Sequence, residues 1–123
     1  MARILVVDDE PAVRAVIEGL MIRSGHNVLS TGYGLVALHM LSEHPFDLVI
    51  TDIVMPYMTG VRLIDEIRTH YPAIKILAIS GGGERYNPET CVSLAKEHGA
   101  DRAIMKPFIP GELAALTEEL PTL

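Results

Sequence analysis

The stretch ILVVDDEPAV, residues 4–13, decides the fold of this chain. Four apolar residues run directly into three acids, Asp8, Asp9 and Glu10, and Pro11 follows at once. A short apolar run is typical of a buried strand, and proline suits a first helical turn because its missing N–H would have no partner there. The stretch therefore predicts a strand that carries carboxylates to the start of a helix.

The same alternation of strand and helix continues to the end of the chain. Apolar segments predict five strands, at residues 3–8, 27–31, 46–51, 75–80 and 102–105. Helical spacing predicts a helix after each strand, with starts at or near Pro11, Gly34, Thr59, Pro88 and Pro110. Such alternation predicts right-handed βαβ units and an α/β fold, and the unbroken apolar strands indicate a parallel sheet covered on both faces.

Composition limits the classes of protein that fit. The 123 residues suit one domain, which we expect to span residues 1–123. The net charge of −6 disfavours direct binding of nucleic acid, whose phosphates need clustered Lys and Arg. A single cysteine, Cys91, excludes an intrachain disulfide, and no apolar run approaches the ~18 residues of a membrane span. We expect a cytoplasmic protein that contacts neither nucleic acid nor membrane.

Polar side chains follow the predicted strands at the edge where open α/β sheets bind ligands. Asp8, Asp9 and Glu10 follow the first strand, Asp52 the third, Ser80 closes the fourth and Lys106 follows the fifth. Carboxylates gathered at one edge repel one another, and Mg²⁺, which prefers oxygen ligands, removes that conflict. With a lysine and a hydroxyl beside them, these groups suit phosphoryl transfer, with Asp52 as the nucleophile.

Four motifs resemble the receiver domain of two-component response regulators. They are ILVVDDE at 4–10, DLVITDIVMPYMTG at 47–60, ILAISGG at 76–82 and KPF at 106–108, in the family's order and close to its spacing. The resemblance covers essentially the whole chain and is closest to stand-alone, chemotaxis-regulator-like receivers. It implies a flavodoxin-like (βα)5 fold, a doubly wound parallel sheet in strand order 2-1-3-4-5, and no output domain in this chain.

The resemblance also implies a set of metal ligands. Asp9 and Asp52 match the direct Mg²⁺ ligands of the family, together with the backbone carbonyl of Val54. Asp8 matches the acid that holds the metal through water. Mg²⁺ is therefore the expected cofactor.

The remaining site residues carry roles in the phosphorylated state. Asp52 matches the phosphoacceptor, Ser80 the switch hydroxyl and Lys106 the lysine that pairs with the acyl phosphate. The bond before Pro107 matches the family's cis peptide.

The resemblance implies a signalling role rather than an enzyme, apart from self-phosphorylation and autodephosphorylation. A sensor histidine kinase or a histidine phosphotransfer protein would supply the phosphoryl group to Asp52. The modified chain would then bind an unknown effector or a second copy of itself through the fourth helix, fifth strand and fifth helix. An alternative is a receiver-fold interaction module that acts without phosphorylation.

Several departures from the family pattern bear on these alternatives. Ala103 stands where the family usually has the switch aromatic, which favours the alternative; Tyr86 or Phe108 would have to replace it. The segment GGGERYNPET, residues 81–90, predicts an extended loop. Val54 lacks the carboxyl group of a haloacid-dehalogenase-type phosphatase, and the acidic first loop disfavours a flavin carrier.

Further expectations concern apolar and titratable side chains. Met21 and Met105 are predicted in the core, whereas Met55 and Met58 are predicted to be partly exposed. Cys91 is expected to pack in or near the fourth helix, and the histidines lack the spacing of a metal site.

Overall fold

Strands and helices alternate along the described part of the chain. The computed structural model describes residues 2–81 and 87–119. The elements are β1 (Arg3–Val7), α1 (Pro11–Arg23), β2 (Asn27–Thr31), α2 (Gly34–Glu43), β3 (Leu48–Asp52), α3 (Gly60–His70), β4 (Lys75–Ser80), α4 (Pro88–His98), β5 (Arg102–Met105) and α5 (Pro110–Glu119). All strand pairs are parallel, in the order β2-β1-β3-β4-β5. The predicted flavodoxin-like (βα)5 fold is confirmed.

Two hydrophobic clusters cover the two faces of the sheet. Leu5 and Val7 of β1 pack with α2, α3 and α4, whereas Ile4 and Val6 pack with α1 and α5. Successive side chains of a strand point to opposite faces, so a strand covered on both sides is apolar throughout. No helix within the described residues is long and apolar enough to cross a membrane.

Two strand boundaries differ from the prediction. β1 ends at Val7, which leaves Asp8 in the turn before α1. β3 begins at Leu48 rather than at residue 46 and continues to Asp52. Asp47 lies just before β3 and is hydrogen-bonded to the start of β1, since its carboxylate accepts the Arg3 N–H at 2.8 Å. The change places Asp52 inside the sheet, in register with Ile79.

Three methionine predictions are wrong, whereas Cys91 is buried in α4 as expected. Met105 is 45% exposed because β5 is an edge strand of the sheet. Met55 and Met58 are buried, at 6% and 7% exposure. The loop after β3 folds back over α2, where Met58 lies against Gly34.

An arginine joins α3 to the ends of β4 and β5 that lie opposite the predicted site. Arg68 Nε donates to the Gly99 carbonyl at 2.7 Å, and its Nη2 donates to Asp101 Oδ2 at 2.6 Å. The same Asp101 oxygen accepts the Ile76 N–H at 2.8 Å. These partners are partly buried, so removing the guanidinium takes the Arg68 donor from the Gly99 carbonyl and the countercharge from Asp101, which keeps only the Ile76 N–H on this oxygen.

We therefore expect Arg68→Met to lower the free energy of unfolding by about 2–3 kcal/mol, because a partly buried carboxylate loses its countercharge and a partly buried carbonyl loses the Arg68 donor. Arg62→Met removes an exposed cation from the same helix and should change it by less than about 0.5 kcal/mol. Urea denaturation measures both variants. Equal losses in the two variants would contradict a specific role for the Arg68 contacts.

Candidate functional site

The candidate site lies at the carboxyl ends of the parallel strands. Asp8 follows β1, Asp52 is the last residue of β3, Ser80 is the last residue of β4, and Lys106 follows β5. Because these strands are neighbours in the sheet, their ends bring Asp8, Asp52 and Lys106 into contact across a sequence separation of 98 residues. Residues 82–86, which include part of the predicted extended loop, lie outside the described residues.

Lys106 is in contact with three carboxylates. Its Nζ lies 3.4 Å from Asp8 Oδ2, 3.6 Å from Asp52 Oδ2 and 3.7 Å from Glu10 Oε1. The side chain is 17% exposed, and its aliphatic part lies so close to Gly81 that a Cβ there would be 3.2 Å from Lys106 Cδ. Gly81 therefore leaves the space through which the lysine reaches the acids.

Burial puts the two aspartates under electrostatic strain. The side chains of Asp8 and Asp52 are 1% and 5% exposed. Burial raises the pKa of Asp52 to about 6; the charge of Lys106 opposes this rise and that of Asp8 adds to it. Burial also raises the pKa of Asp8, against the hydrogen bond from the Glu10 N–H and the charge of Lys106. Ionising either carboxyl therefore costs more free energy in the folded chain than in water.

The site favours the charged form of Lys106, whereas burial disfavours the charged form of the two aspartates. Burial by itself would lower the pKa of Lys106, but the charges of Asp52, Asp8 and Glu10 and the hydrogen bond to Asp8 together raise the pKa above its ordinary value. The lysine therefore stays charged at neutral pH. A single ammonium balances one of the negative charges gathered around it, and the site keeps an excess of negative charge.

The donor set fits a hard divalent cation. Asp8, Glu10 and Asp52 each offer a carboxylate oxygen, and these oxygens all lie within 4.8 Å of one another. Oxygen ligands and surplus negative charge are what Mg²⁺ requires. The oxygens of Asp9 fall outside this group in the described part of the chain, so its role as a direct ligand stays a prediction. The sequence places Glu10 at the same edge, but the family resemblance assigned it no role in the site.

The backbone around Asp52 is held by a close approach of α3. Asp52 Oδ1 accepts the Ile53 N–H at 2.8 Å, and the Ile53 carbonyl accepts the Gly60 N–H at 2.7 Å. A Cβ on Gly60 would lie 2.0 Å from the carbonyl oxygen of Asp52. Thr59 caps α3 by accepting the Arg62 N–H at 3.2 Å. The Thr-Gly pair that ends the second motif therefore places the helix directly against Asp52.

A family model of the response regulator receiver domain matches residues 4–118. The chain belongs to the response regulator receiver domain family. Receiver domains work in two-component systems and generally bind Mg²⁺, and the acidic cluster at Asp8, Glu10 and Asp52 is consistent with that chemistry and with phosphorylation.

Similar proteins cover several kinds of response regulator. The DNA-binding transcriptional regulator NtrC of Azospirillum brasilense is 35% identical over 117 residues, which are 95% of this chain and 24% of NtrC. The probable transcriptional regulator ycf27 of Porphyridium aerugineum is 36% identical, over 92% of this chain and 45% of that protein. This receiver therefore spans less than half of the length of either relative.

Solved structures show the same fold at similar identity. The NtrX receiver domain from Brucella abortus has a TM-score of 0.89 at 30% identity. The match covers 97% of this chain and 98% of the NtrX receiver domain. The chemotaxis response regulator CheY4 of Vibrio cholerae has a TM-score of 0.87 at 29% identity, with 98% coverage of both chains. Because the NtrX receiver domain and a chemotaxis regulator match similarly well, the stand-alone, chemotaxis-regulator-like character of this receiver stays a prediction.

The neighbourhood of Ser80 lacks the family's aromatic in the described residues. Ser80 is fully buried at the end of β4, and Ala103 is half-buried on β5, paired with Ala78. Ala103 packs in the cluster on the sheet face that α4 covers, whereas Phe108 packs in the cluster on the opposite sheet face, with α1 and α5. Phe108 therefore does not replace the aromatic, and Tyr86 lies outside the described residues. The peptide bond between Lys106 and Pro107 is cis, as the resemblance implied.

Proposed function

We propose that this receiver accepts a phosphoryl group on Asp52 from a sensor histidine kinase or a histidine phosphotransfer protein, in a Mg²⁺-dependent reaction that switches partner binding. One observation carries the proposal. The buried Asp52 carboxylate lies 3.6 Å from the Lys106 ammonium, inside a cluster of acids that fits a divalent cation.

The Asp52 carboxylate has the properties of a nucleophile. With a pKa of about 6 it is ionised at neutral pH, yet burial leaves it poorly solvated and therefore reactive. In the proposed step a P–O bond to Asp52 forms as the P–N bond to the donor histidine breaks. The imidazole nitrogen leaves with the electron pair and takes up a proton.

The other site residues position and neutralise the phosphoryl group. Lys106 lies beside Asp52 Oδ2 and would pair with the phosphoryl oxygens. Asp8, Asp9, Asp52 and the Val54 carbonyl would hold Mg²⁺, which neutralises charge on the phosphoryl oxygens when bound. This arrangement provides binding and charge compensation, which supply most of the catalysis in phosphoryl transfer.

The switch would run from Ser80 to the face of α4, β5 and α5. Ser80 ends β4 next to β5, so a change at its hydroxyl adjoins that face. Leu94, Met105 and Ile109 are 39%, 45% and 69% exposed in these elements and the loop between them. We propose that this face binds a protein effector or a second copy of the chain, with no direct contact to nucleic acid, no membrane contact and no further enzymatic activity.

The proposal extends to the type of protein. The chain would act in the cytoplasm as a receiver similar to that of chemotaxis regulators. The alternative function, an interaction module that acts without phosphorylation, is favoured by one observation, the small Ala103 side chain on β5. The intact set of acids and Lys106 favours the phosphorylated switch.

The test is incubation with acetyl phosphate and Mg²⁺, followed by intact mass. We expect a gain of one phosphoryl group that disappears in Asp52→Asn and when Mg²⁺ is chelated. Asp65→Asn, which removes an exposed carboxylate of α3, should be phosphorylated as the parent chain is. If neither acetyl phosphate nor a histidine kinase modifies the folded chain, the interaction-module function replaces this one.

A further inference from the structure

The side chain of Glu10 has a position that its helix does not explain. Glu10 is the N-cap residue of α1, but its carboxylate makes no capping hydrogen bond. Its backbone forms the turn instead: the Glu10 N–H donates to Asp8 Oδ1 at 2.9 Å, and the Glu10 carbonyl accepts the Arg14 N–H at 2.9 Å. The carboxylate is therefore left for another contact.

That contact is with the site. Glu10 Oε1 lies 3.7 Å from Lys106 Nζ, and a Glu10 carboxylate oxygen lies within 4.8 Å of oxygens on both Asp8 and Asp52. The Glu10 side chain is 63% exposed, whereas those of Asp8 and Asp52 are 1% and 5% exposed. Glu10 therefore stands at the solvent side of a cluster whose other two members are buried.

We propose that Glu10 is an outer acidic group of the cation site and raises its affinity for Mg²⁺. Mg²⁺ keeps several of its waters when it binds to a protein, so a carboxylate at the solvent side contributes through those waters and through its charge. At equal distance a dication is attracted to Glu10 twice as strongly as the Lys106 ammonium is. The inference rests on the proposed function, because it concerns the same site.

The direction of the effect follows from the sign of the charges. Neutralising Glu10 removes an attraction for Mg²⁺, and it also weakens the hold on Lys106, which then relies more on Asp8 and Asp52. Both changes weaken cation binding. Because Glu10 is mostly exposed, solvent screens its charge, and the expected loss of affinity is about 3- to 10-fold and smaller at high ionic strength.

The test is calorimetric titration of the full chain with MgCl2. Glu10→Gln keeps the size of the side chain and removes its charge, and we expect its Kd for Mg²⁺ to rise about 3- to 10-fold. The matched control is Glu89→Gln, which removes an exposed charge from the first turn of α4 and should leave the Kd within about twofold. Urea denaturation checks that both variants are folded.

The outcomes separate this inference from the proposed function. An unchanged Kd in Glu10→Gln, or an equal loss in Glu89→Gln, overturns the role of Glu10 and leaves the proposed function intact. A parent chain that binds no Mg²⁺ overturns both. A selective loss in Glu10→Gln that shrinks as KCl is added supports the inference.

Discussion

Replacing Gly60 by alanine is expected to lower the free energy of unfolding by about 3 kcal/mol or more, at the upper end of the cost of overpacking. The added Cβ would lie 2.0 Å from the Asp52 carbonyl oxygen and 2.6 Å from the Ile53 Cα. These are backbone atoms, so no side-chain rotation relieves the clash. The Gly60 N–H is bonded to the Ile53 carbonyl at 2.7 Å, so relief requires movement of α3 against β3.

A second glycine of the same chain supplies the control. Gly19 lies inside α1, and a Cβ there would have no heavy atom within 4 Å. Gly19→Ala should therefore raise the free energy of unfolding by about 1 kcal/mol, the usual gain in helix propensity. Urea denaturation of the two variants measures opposite shifts. A Gly60→Ala chain as stable as the parent would contradict the close contact between α3 and Asp52.

Asp52→Asn is expected to stabilise the chain by about 3 kcal/mol at neutral pH when no divalent cation is present. The Asp52 pKa of about 6 lies above the ordinary value of 3.8, and each pKa unit corresponds to about 1.4 kcal/mol. Asparagine has nearly the same shape and no charge, so it removes the cost of ionising a buried carboxyl. The attraction to Lys106 is already contained in that pKa.

The pH dependence has a defined sign. A raised pKa means that the folded chain binds a proton which the unfolded chain has lost, so the contribution of Asp52 to stability falls as pH rises from about 4 to about 6. The stability of Asp52→Asn should therefore match that of the parent chain near pH 4 and exceed it by the full amount above pH 7. Urea denaturation across this pH range, with EDTA present, measures the difference.

Mg²⁺ should reduce the difference in stability between Asp52→Asn and the parent chain at neutral pH. A ligand that binds only the folded chain stabilises it more the tighter it binds, and Asp52→Asn has lost one of the cluster's charges and should bind Mg²⁺ more weakly. The control Asp65→Asn removes an exposed carboxylate of α3 that pairs with His98, and it should not stabilise the chain at pH 7.5. A parent chain more stable than Asp52→Asn at pH 7.5 without Mg²⁺ would contradict the strain attributed to burial.

Much of the fold and part of the site followed from the sequence because strand periodicity is a local signal. The apolar runs that end at Val7 and Ser80 showed which strands are covered on both faces, and parallel pairing placed the residues after them at one edge. Asp8, Asp52 and Lys106 were found in this way. Their contact follows from topology rather than from any feature of a single segment.

What the sequence left open depends on the direction of side chains in turns and on close approaches of backbone. Glu10 joins the acidic cluster because the turn after β1 directs its carboxylate to Lys106, and no periodicity describes a turn. The crowding of Gly60 on Asp52 depends on where α3 lies relative to β3. Met58 was predicted to be partly exposed because it is in a loop, but that loop folds onto Gly34 of α2.

The most direct measurement is the location of the phosphoryl group itself. The chain is phosphorylated with acetyl phosphate and Mg²⁺, the acyl phosphate is reduced with borohydride, and the digested peptides are sequenced by mass spectrometry. We expect homoserine at position 52 and unmodified aspartate at positions 8, 9 and 47. Modification of another residue, or a phosphorylated Asp52→Asn chain, would contradict Asp52 as the phosphoacceptor.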